Sequence, residues 1–409
     1  MTTVTSPPVP LSRNRNYNLL WSTQVVSELG SDISYIAFPL LILATSGSPL
    51  QMGVVSAAIA AAHMVGELPG GMVADRFDRK KVMLACEGAR ALLLSSLAVA
   101  LLAGWYSFGH VLVVAVAEGL LSSLFGPAEE ATVPNIVPEE QLSTAVARNT
   151  ARTYLAALLG PAVGGFLFSL HRMVPFLVDA VSYAASFVGL LFLRLPARQV
   201  PVGDAEPEAA GGGVRWVLRH RVIRTTLVWV IASNLIFSAL VIVILAVAGS
   251  SHAGPSQIGL MMALFGVGGL AGALAAARLH AALPAPVIVL GFSWVAAIMT
   301  AVMTLVPGGL VLGVILGAVA FFAPLANTTI ITYQLMITPD ELRGRLSGVS
   351  GLAAGAAGAV GPLLGGVLMT VAAGRTGVLI CAIALLAVAI AATASPTLRR
   401  FPTLRPGAR

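Results

Sequence analysis

Charge is what this sequence has least of. Aspartate, glutamate, lysine and arginine make up 10% of its 409 residues against 57% for the hydrophobic types, and the mean hydropathy is +0.91. A soluble domain carries about 25% charged residues. A chain this poor in charge cannot cover itself with polar surface, so lipid must be its solvent. Cysteine is nearly absent: Cys86 and Cys381 stand far apart, each inside an apolar segment. That excludes a disulfide framework and a thiolate metal site, and leaves two small buried hydrophobes. Lysine occurs only as Lys80 and Lys81, so almost all positive charge is arginine. No phosphate-binding loop, metal-ligand spacing or nucleophile–base pair is apparent, and no soluble stretch is long enough to hydrolyse ATP. Neither enzyme chemistry nor a cofactor or metal is expected, and any work the protein does must draw on a gradient.

What is present is a succession of apolar runs. A bilayer core needs about 20 apolar residues per helix. Runs of that kind predict spans near 18–44, 51–74, 82–104, 109–128, 142–169 and 174–194, then near 223–249, 256–280, 285–306, 309–335, 344–372 and 375–394. The expected fold is an all-α membrane protein of twelve helices in two six-helix halves. Its parts are an N-terminal tail (1–17), a first bundle (18–194), a linker (195–222), a second bundle (223–394) and a basic tail (395–409). The polar start runs directly into a long span, without the order of charged, short apolar and small-residue regions that marks a removable signal. The linker opens with PVGDAEPEAAGGG, which has no apolar period. It closes with VRWVLRHRVIR, which predicts a short amphipathic helix laying arginines against anionic headgroups.

The basic residues test this layout. Although the formal charge is +7 and the pI near 10.0, they do not form a nucleic-acid-binding patch; they sit in short loops. Nineteen of the 24 lysines and arginines fall on one side of the twelve-span arrangement, Arg172 and Arg375 on the other, and Arg90, Arg148 and Arg152 within spans. Positive charge collects on the cytoplasmic side. Both termini are therefore expected in the cytoplasm, in a multi-pass protein of the cell membrane.

The two halves repeat. PEEQLSTAVARNTARTYLAALLGPAVGGFL begins at Pro138, and PDELRGRLSGVSGLAAGAAGAVGPLLGGVL at Pro339; the leading proline and acids and the trailing GPxxGG recur 201 residues apart. Spans five and eleven are thus two copies of one element in the same orientation. Parallel repeats of this sort place a substrate cavity between the halves, near the bilayer midplane.

Between spans two and three stands GELPGGMVADRFDRKK, from Gly66 to Lys81. It resembles the loop signature of the major facilitator superfamily, GxLaDrxGrkx, at Gly66, Asp75, Arg76, Arg79 and Lys80, with Asp78 where that signature has a turn glycine. The resemblance implies a cytoplasmic gate, with Gly70 and Gly71 allowing close helix approach and Asp75 and Arg79 forming a clamp. In span five, Gly160-Pro161-Ala-Val-Gly164-Gly165 is similar to the end of the superfamily's antiporter motif, though Ala147 and Ala156 replace its upstream glycines. It implies a bent helix and export rather than uptake. Further stretches, LGSD from Leu29, AFPL from Ala37, FGPA from Phe125, DAVSY from Asp179 and LRGR from Leu342, resemble the drug and siderophore exporter branch, which includes enterobactin exporters and macrolide efflux proteins. That resemblance covers nearly the whole chain and implies proton-driven export of bulky amphiphiles. One departure matters: many proton-coupled relatives carry an arginine in span four where this chain has Ala115, ahead of Glu118-Gly119.

An ionisable residue inside a span is costly to bury and therefore a functional candidate. Gln24, Glu28 and Asp32 recur every four residues along span one and share a face, which should look onto the cavity. Glu28, Asp32 and Glu118 are the proton-coupling candidates, with Asp179 less central and Arg90, Arg148 and Arg152 available as partners. His63 reads as a packing residue. Gln24, with Asn234, Asn327 and Gln334 from the second half, are candidates to line the cavity. The second half has almost no carboxylate within its spans, so coupling is expected in spans one to six. The expected function is a secondary active transporter, a proton-coupled exporter of small amphiphiles such as antibiotics, siderophores or secondary metabolites. Its partners are the substrate, protons and the bilayer, with no nucleic acid, and it works as a monomer. A lipid or metabolite importer or facilitator, or a non-transporting sensor, are the alternatives.

Overall fold

A computed structural model describes residues 10–195, 219–251, 253–306, 308–372 and 374–399. Twelve of its helices are long and apolar enough to cross a bilayer. They are α1 (Arg15–Thr45), α2 (Pro49–Arg76), α3 (Arg79–Leu102), α4 (Phe108–Ile136), α5 (Glu139–Leu170), α6 (Val174–Leu191), α7 (Arg221–Ser250), α8 (Pro255–Ala282), α9 (Ala285–Met303), α10 (Leu310–Ile337), α11 (Asp340–Val371) and α12 (Arg375–Ala394). Even α6, with 18 residues, reaches about 27 Å at the α-helical rise of about 1.5 Å per residue. Large apolar side chains such as Leu92, Leu274, Leu305 and Val371 stand exposed, as lipid-facing residues do. Residues 214–218 of the amphipathic helix expected at the end of the linker lie outside the described residues, and Arg221–Arg224 open α7.

The expected span four ends near residue 128, whereas α4 runs on to Ile136 with Pro127 and Pro134 inside it. Prolines inside membrane helices are tolerated because neighbouring groups satisfy the freed backbone atoms. The same holds for α5, which continues through Pro161 to Leu170.

Packing repeats as the sequence does. In the first half α3 packs on α4 and α6; in the second, α9 packs on α10 and α12. Glycines set the closest approaches. Gly66 and Gly70 of α2 abut Ser123 of α4, and Gly268 and Gly272 of α8 abut Gly317 and Phe321 of α10. Gly160 and Gly164 of α5 lie against Asp32, Ile33 and Ile36 of α1, and Gly361 and Gly365 of α11 against Leu235, Ser238 and Ala239 of α7. A stripe of small residues lets backbones meet where lipid supplies no hydrophobic drive between helices.

The chain divides into two compact units. One holds the chain up to Ala37 together with α2 from Ala62 onward through α6; the other holds Phe38–Ala61 with α7 and all that follows. The far end of α1 and the near end of α2 therefore fall in the second of these units. Glycines are again the reason: Gly53 of α2 meets Pro362 and Gly366 of α11, and Gly249 of α7 meets Leu43 of α1.

These contacts carry a prediction. A Cβ on Gly164 would lie 2.6 Å from Ile36 Cγ2 and 2.8 Å from Ile33 O, whereas one on Gly71 would meet nothing within 4 Å. Overpacking typically costs about 1–3 kcal/mol. Gly164→Val should lower the thermal midpoint of the detergent-purified protein by several degrees, and Gly71→Ala should leave it level or raise it. Equal responses would contradict the packing assigned to the α5 stripe.

Candidate transport site

The first unit contains a cavity of about 670 Å³, within the range of about 300–1,000 Å³ usual for small-molecule sites. Helices α1, α3, α4 and α5 wall it. Phe125, Val133, Leu142 and Val146 supply apolar surface, and Gln24, Ser27, Glu28, Ser31, Arg90, Glu129, Glu130 and Arg152 supply polar atoms. The four-residue spacing on α1 places Gln24 and Glu28 on this wall as expected. Asp32, one turn further, is half-buried with its Cβ against Gly160, and it is not among the lining residues.

Two arginines organise the buried charge. Arg152 of α5 donates from Nε to Glu28 Oε2 at 2.5 Å, from Nη1 to Glu129 Oε1 at 2.8 Å and from Nη2 to Glu129 Oε2 at 3.4 Å. One cation thus clasps two carboxylates from α1 and α4 at the cavity wall. Deeper in, Arg90 of α3 donates to Glu118 Oε1 of α4 from Nε at 2.8 Å and Nη2 at 2.5 Å, and to Ser31 Oγ at 3.2 Å. Its guanidinium lies 4.0 Å from the Tyr183 ring centroid, and Tyr183 Oη donates to the same Glu118 oxygen at 2.5 Å. Charge-assisted bonds of this kind are roughly twice as strong as neutral ones. Glu118 is therefore held as a counter-ion and Glu28 as half of a clasp, while Asp32 has no ion pair among the described residues.

Three participants were not singled out from the sequence. Glu129 fell just past the expected end of span four. Tyr183 was noted only as part of a motif. Glu87 went unremarked, although it lies three residues before Arg90 and so on the same helical face; it is wholly buried beside Ser27 and Ser186. Asp179 of α6, also wholly buried, accepts from Ser182 Oγ at 3.1 Å.

The remaining residues scatter. Asp75 is exposed, and among the described residues it makes no ion pair with Arg79. Arg79 instead donates to Ala74 O at 3.3 Å and Ala131 O at 2.6 Å, and Lys80 to Leu191 O and Leu193 O at 2.8 and 2.7 Å. These cations cap helix C-termini, where they complement the dipole. Asp78, in place of the turn glycine, is the N-cap of α3 and accepts from Lys81 N at 3.1 Å. Arg76 is exposed at the end of α2. His63 is not a packing residue: its Nδ1 is 3.4 Å from Glu67 Oε1, one turn on, and both side chains are about half exposed. In the second unit Asn234 and Asn327 are exposed. Gln334 is buried and donates to Thr226 Oγ1 at 2.8 Å, tying α10 to α7. Among the described residues no three histidine, cysteine or acidic side chains converge as metal ligands would.

Known proteins resemble this chain over most of its length. The multidrug efflux pump Tap of Mycolicibacterium fortuitum is 28% identical over 390 residues, covering 91% of this chain and 93% of that one. The enterobactin exporter EntS of Salmonella choleraesuis is 26% identical over 364 residues, 86% and 85% of the two chains. In fold, a bacterial homolog of the human lysosomal transporter Spinster superposes with a TM-score of 0.69 at 16% identity, over 94% of this chain and 96% of that one. The nucleoside transporter NupG gives 0.69 at 15% identity, over 91% and 98%. The family described as transmembrane secretion effector matches residues 5–404. With nearly its whole length so matched, the chain belongs to that family of major facilitator superfamily transporters.

Proposed function

We propose that this protein is a proton-coupled exporter of small amphiphilic molecules, working by alternating access. The observation that carries the reading is the cavity of about 670 Å³, whose wall mixes apolar Phe125, Val133, Leu142 and Val146 with carboxylates on α1 and α4. Apolar walls accept an amphiphile, and the few polar groups fix its orientation. In the second half the only acidic residues are Asp340 and Glu341, at the very start of α11, and no other occurs after Glu208. Proton exchange is thereby assigned to the first six helices; of the candidates Glu28, Asp32 and Glu118, the first and last are held by arginines, which favours Asp32. The named activities of Tap and EntS, multidrug efflux and enterobactin export, support export over uptake. Antibiotics, siderophores and secondary metabolites are the substrate classes that fit.

In this reading both termini are cytoplasmic, a single chain suffices, and the Gly66–Lys80 loop is the cytoplasmic gate. Asp75 is exposed and unpaired with Arg79 here, which leaves it available for a different partner in another state of the cycle. In the Gly160-Pro161-Ala-Val-Gly164-Gly165 stretch, Gly160 and Gly164 hold α5 close to α1, so that a change at Asp32 is felt directly by the α5 backbone.

The test uses everted membrane vesicles with an acidic lumen and a mixed panel of siderophores, antibiotics and dyes. Accumulation should rise at least about tenfold over vesicles lacking a gradient, since one pH unit is worth about 1.4 kcal/mol per exchanged proton, and should collapse with a protonophore. Uptake indifferent to the gradient would replace the exporter with a facilitator.

A further inference from the structure

We propose that Glu87 of α3, behind the cavity wall, is a proton-binding site of the transport cycle, reached from the cavity through the hydroxyl of Ser27; this rests on the proton-coupled reading above. Glu87 is 0% exposed. Its Oε1 accepts from Ser27 Oγ of α1 at 3.0 Å and from Ser186 Oγ of α6 at 3.1 Å, and Gln24 Nε2 donates to Ser186 Oγ at 3.1 Å. Oε2 is buried without a hydrogen-bond partner.

Every helix around Glu87 offers it neutral groups or a cation already engaged. On α3 the nearby groups are Cys86 and Arg90, and Arg90 is bound to Glu118 of α4. On α6, beyond Ser186, come Tyr183, which also bonds Glu118, and Asp179, which takes its bonds from Ser182. On α1 the one acid beside Gln24 and Ser27 is Glu28, clasped by Arg152. Arg90 thus stands among three deeply buried carboxylates, Glu87, Glu118 and Asp179, and contacts only the second. A buried carboxylate without a counter-ion is expensive, whereas its protonated form is far less so. A proton on Oε2 gives that atom a neutral hydroxyl and leaves Oε1 free to accept from both serines.

The route follows from the same contacts. Ser27 and Gln24 line the cavity, and both point their hydrogen bonds away from it toward the Glu87 site. On release, the carboxyl turns its O–H toward Ser27 Oγ while the Ser27 hydroxyl turns to the cavity; the O–H bond of Glu87 then breaks and its proton passes to Ser27 Oγ. That hydroxyl gives its own proton to cavity water, leaving Glu87 as carboxylate; loading reverses these transfers. The lining serine is the relay, and the carboxyl behind it is the store.

Infrared difference spectroscopy on the lipid-reconstituted protein at neutral pH tests this. Subtracting Glu87→Gln from wild type should leave a carboxylic-acid carbonyl band that shifts in deuterium oxide, and gradient-driven accumulation in vesicles should fall at least about tenfold with that variant. Should the glutamine variant not fold, Glu87→Asp should retain the band at a displaced frequency. Identical acid absorption in wild type and Glu87→Gln, or an undisplaced band in Glu87→Asp, overturns the assignment while leaving proton-coupled export standing. Gradient-indifferent wild-type accumulation instead removes the coupled reading and Glu87's place in the cycle with it.

Discussion

Arg90→Met should yield a protein that unfolds far more readily than wild type, with little recovered in detergent. Arg90 is 5% exposed and Glu118 8%, so neither is solvated by bulk water. The arginine fork meets Glu118 through two N–H groups at 2.8 and 2.5 Å, bonds Ser31 at 3.2 Å and lies over the Tyr183 ring. Methionine fills similar space but leaves the Glu118 carboxylate with Tyr183 as its one donor. Breaking one side of a buried pair costs about 3–5 kcal/mol, against a total stability of about 5–15 kcal/mol for a typical domain. Lysine should not rescue it, because a point charge cannot reproduce the fork that meets Glu118 and Ser31 together. Adding Glu118→Gln to Arg90→Met should recover much of the loss, since the orphaned charge goes with it. Thermal midpoints of the two single variants and the double variant form the cycle. A wild-type midpoint for Arg90→Met, or strict additivity, would show that the pair does not hold α3 to α4.

Much of this architecture was legible because the bilayer imposes a simple grammar. Runs near twenty apolar residues, punctuated by arginine-rich loops, marked all twelve helices, and the 201-residue offset of GPxxGG foretold that α5 and α11 would make the same contacts. The four-residue spacing of Gln24 and Glu28 placed them on one wall. What failed did so for identifiable reasons. The expected span four ended near residue 128, so Glu129 fell outside it, although α4 runs on to Ile136 and Arg152 closes on Glu129. Helical spacing states which residues share a face and not what that face meets. Asn327 and Gln334 lie on one helix, yet one is exposed and the other is buried against Thr226. Ion-pair partners are set by three-dimensional packing across 124 residues in the case of Arg152 and Glu28, a distance no local pattern bridges.

The same reasoning separates the carboxylates by role and makes Asp32 the sharpest functional test. Glu118 and Glu28 each have an arginine at hydrogen-bond distance, and a carboxylate so held is a poor proton exchanger because protonation must first break the pair. Asp32 has none among the described residues, shares its helical face with Glu28 one turn away, and rests on Gly160 at the α5 stripe. Its charge therefore bears on both the cavity wall and the α1–α5 contact, which is where a coupling residue must act if proton binding is to shift one conformation against another. Asp32→Asn should cut gradient-driven accumulation at least about tenfold, to the level of vesicles without a gradient, and remove its dependence on lumenal pH. Substrate binding, read by ligand-induced shift of the thermal midpoint, should remain detectable, because Asp32 does not line the cavity. Asp32→Glu should restore part of the gradient dependence. Full accumulation by Asp32→Asn would leave the coupling to Glu87 and the α3–α6 side of the bundle alone. Lost binding without lost gradient dependence would make Asp32 a substrate contact instead.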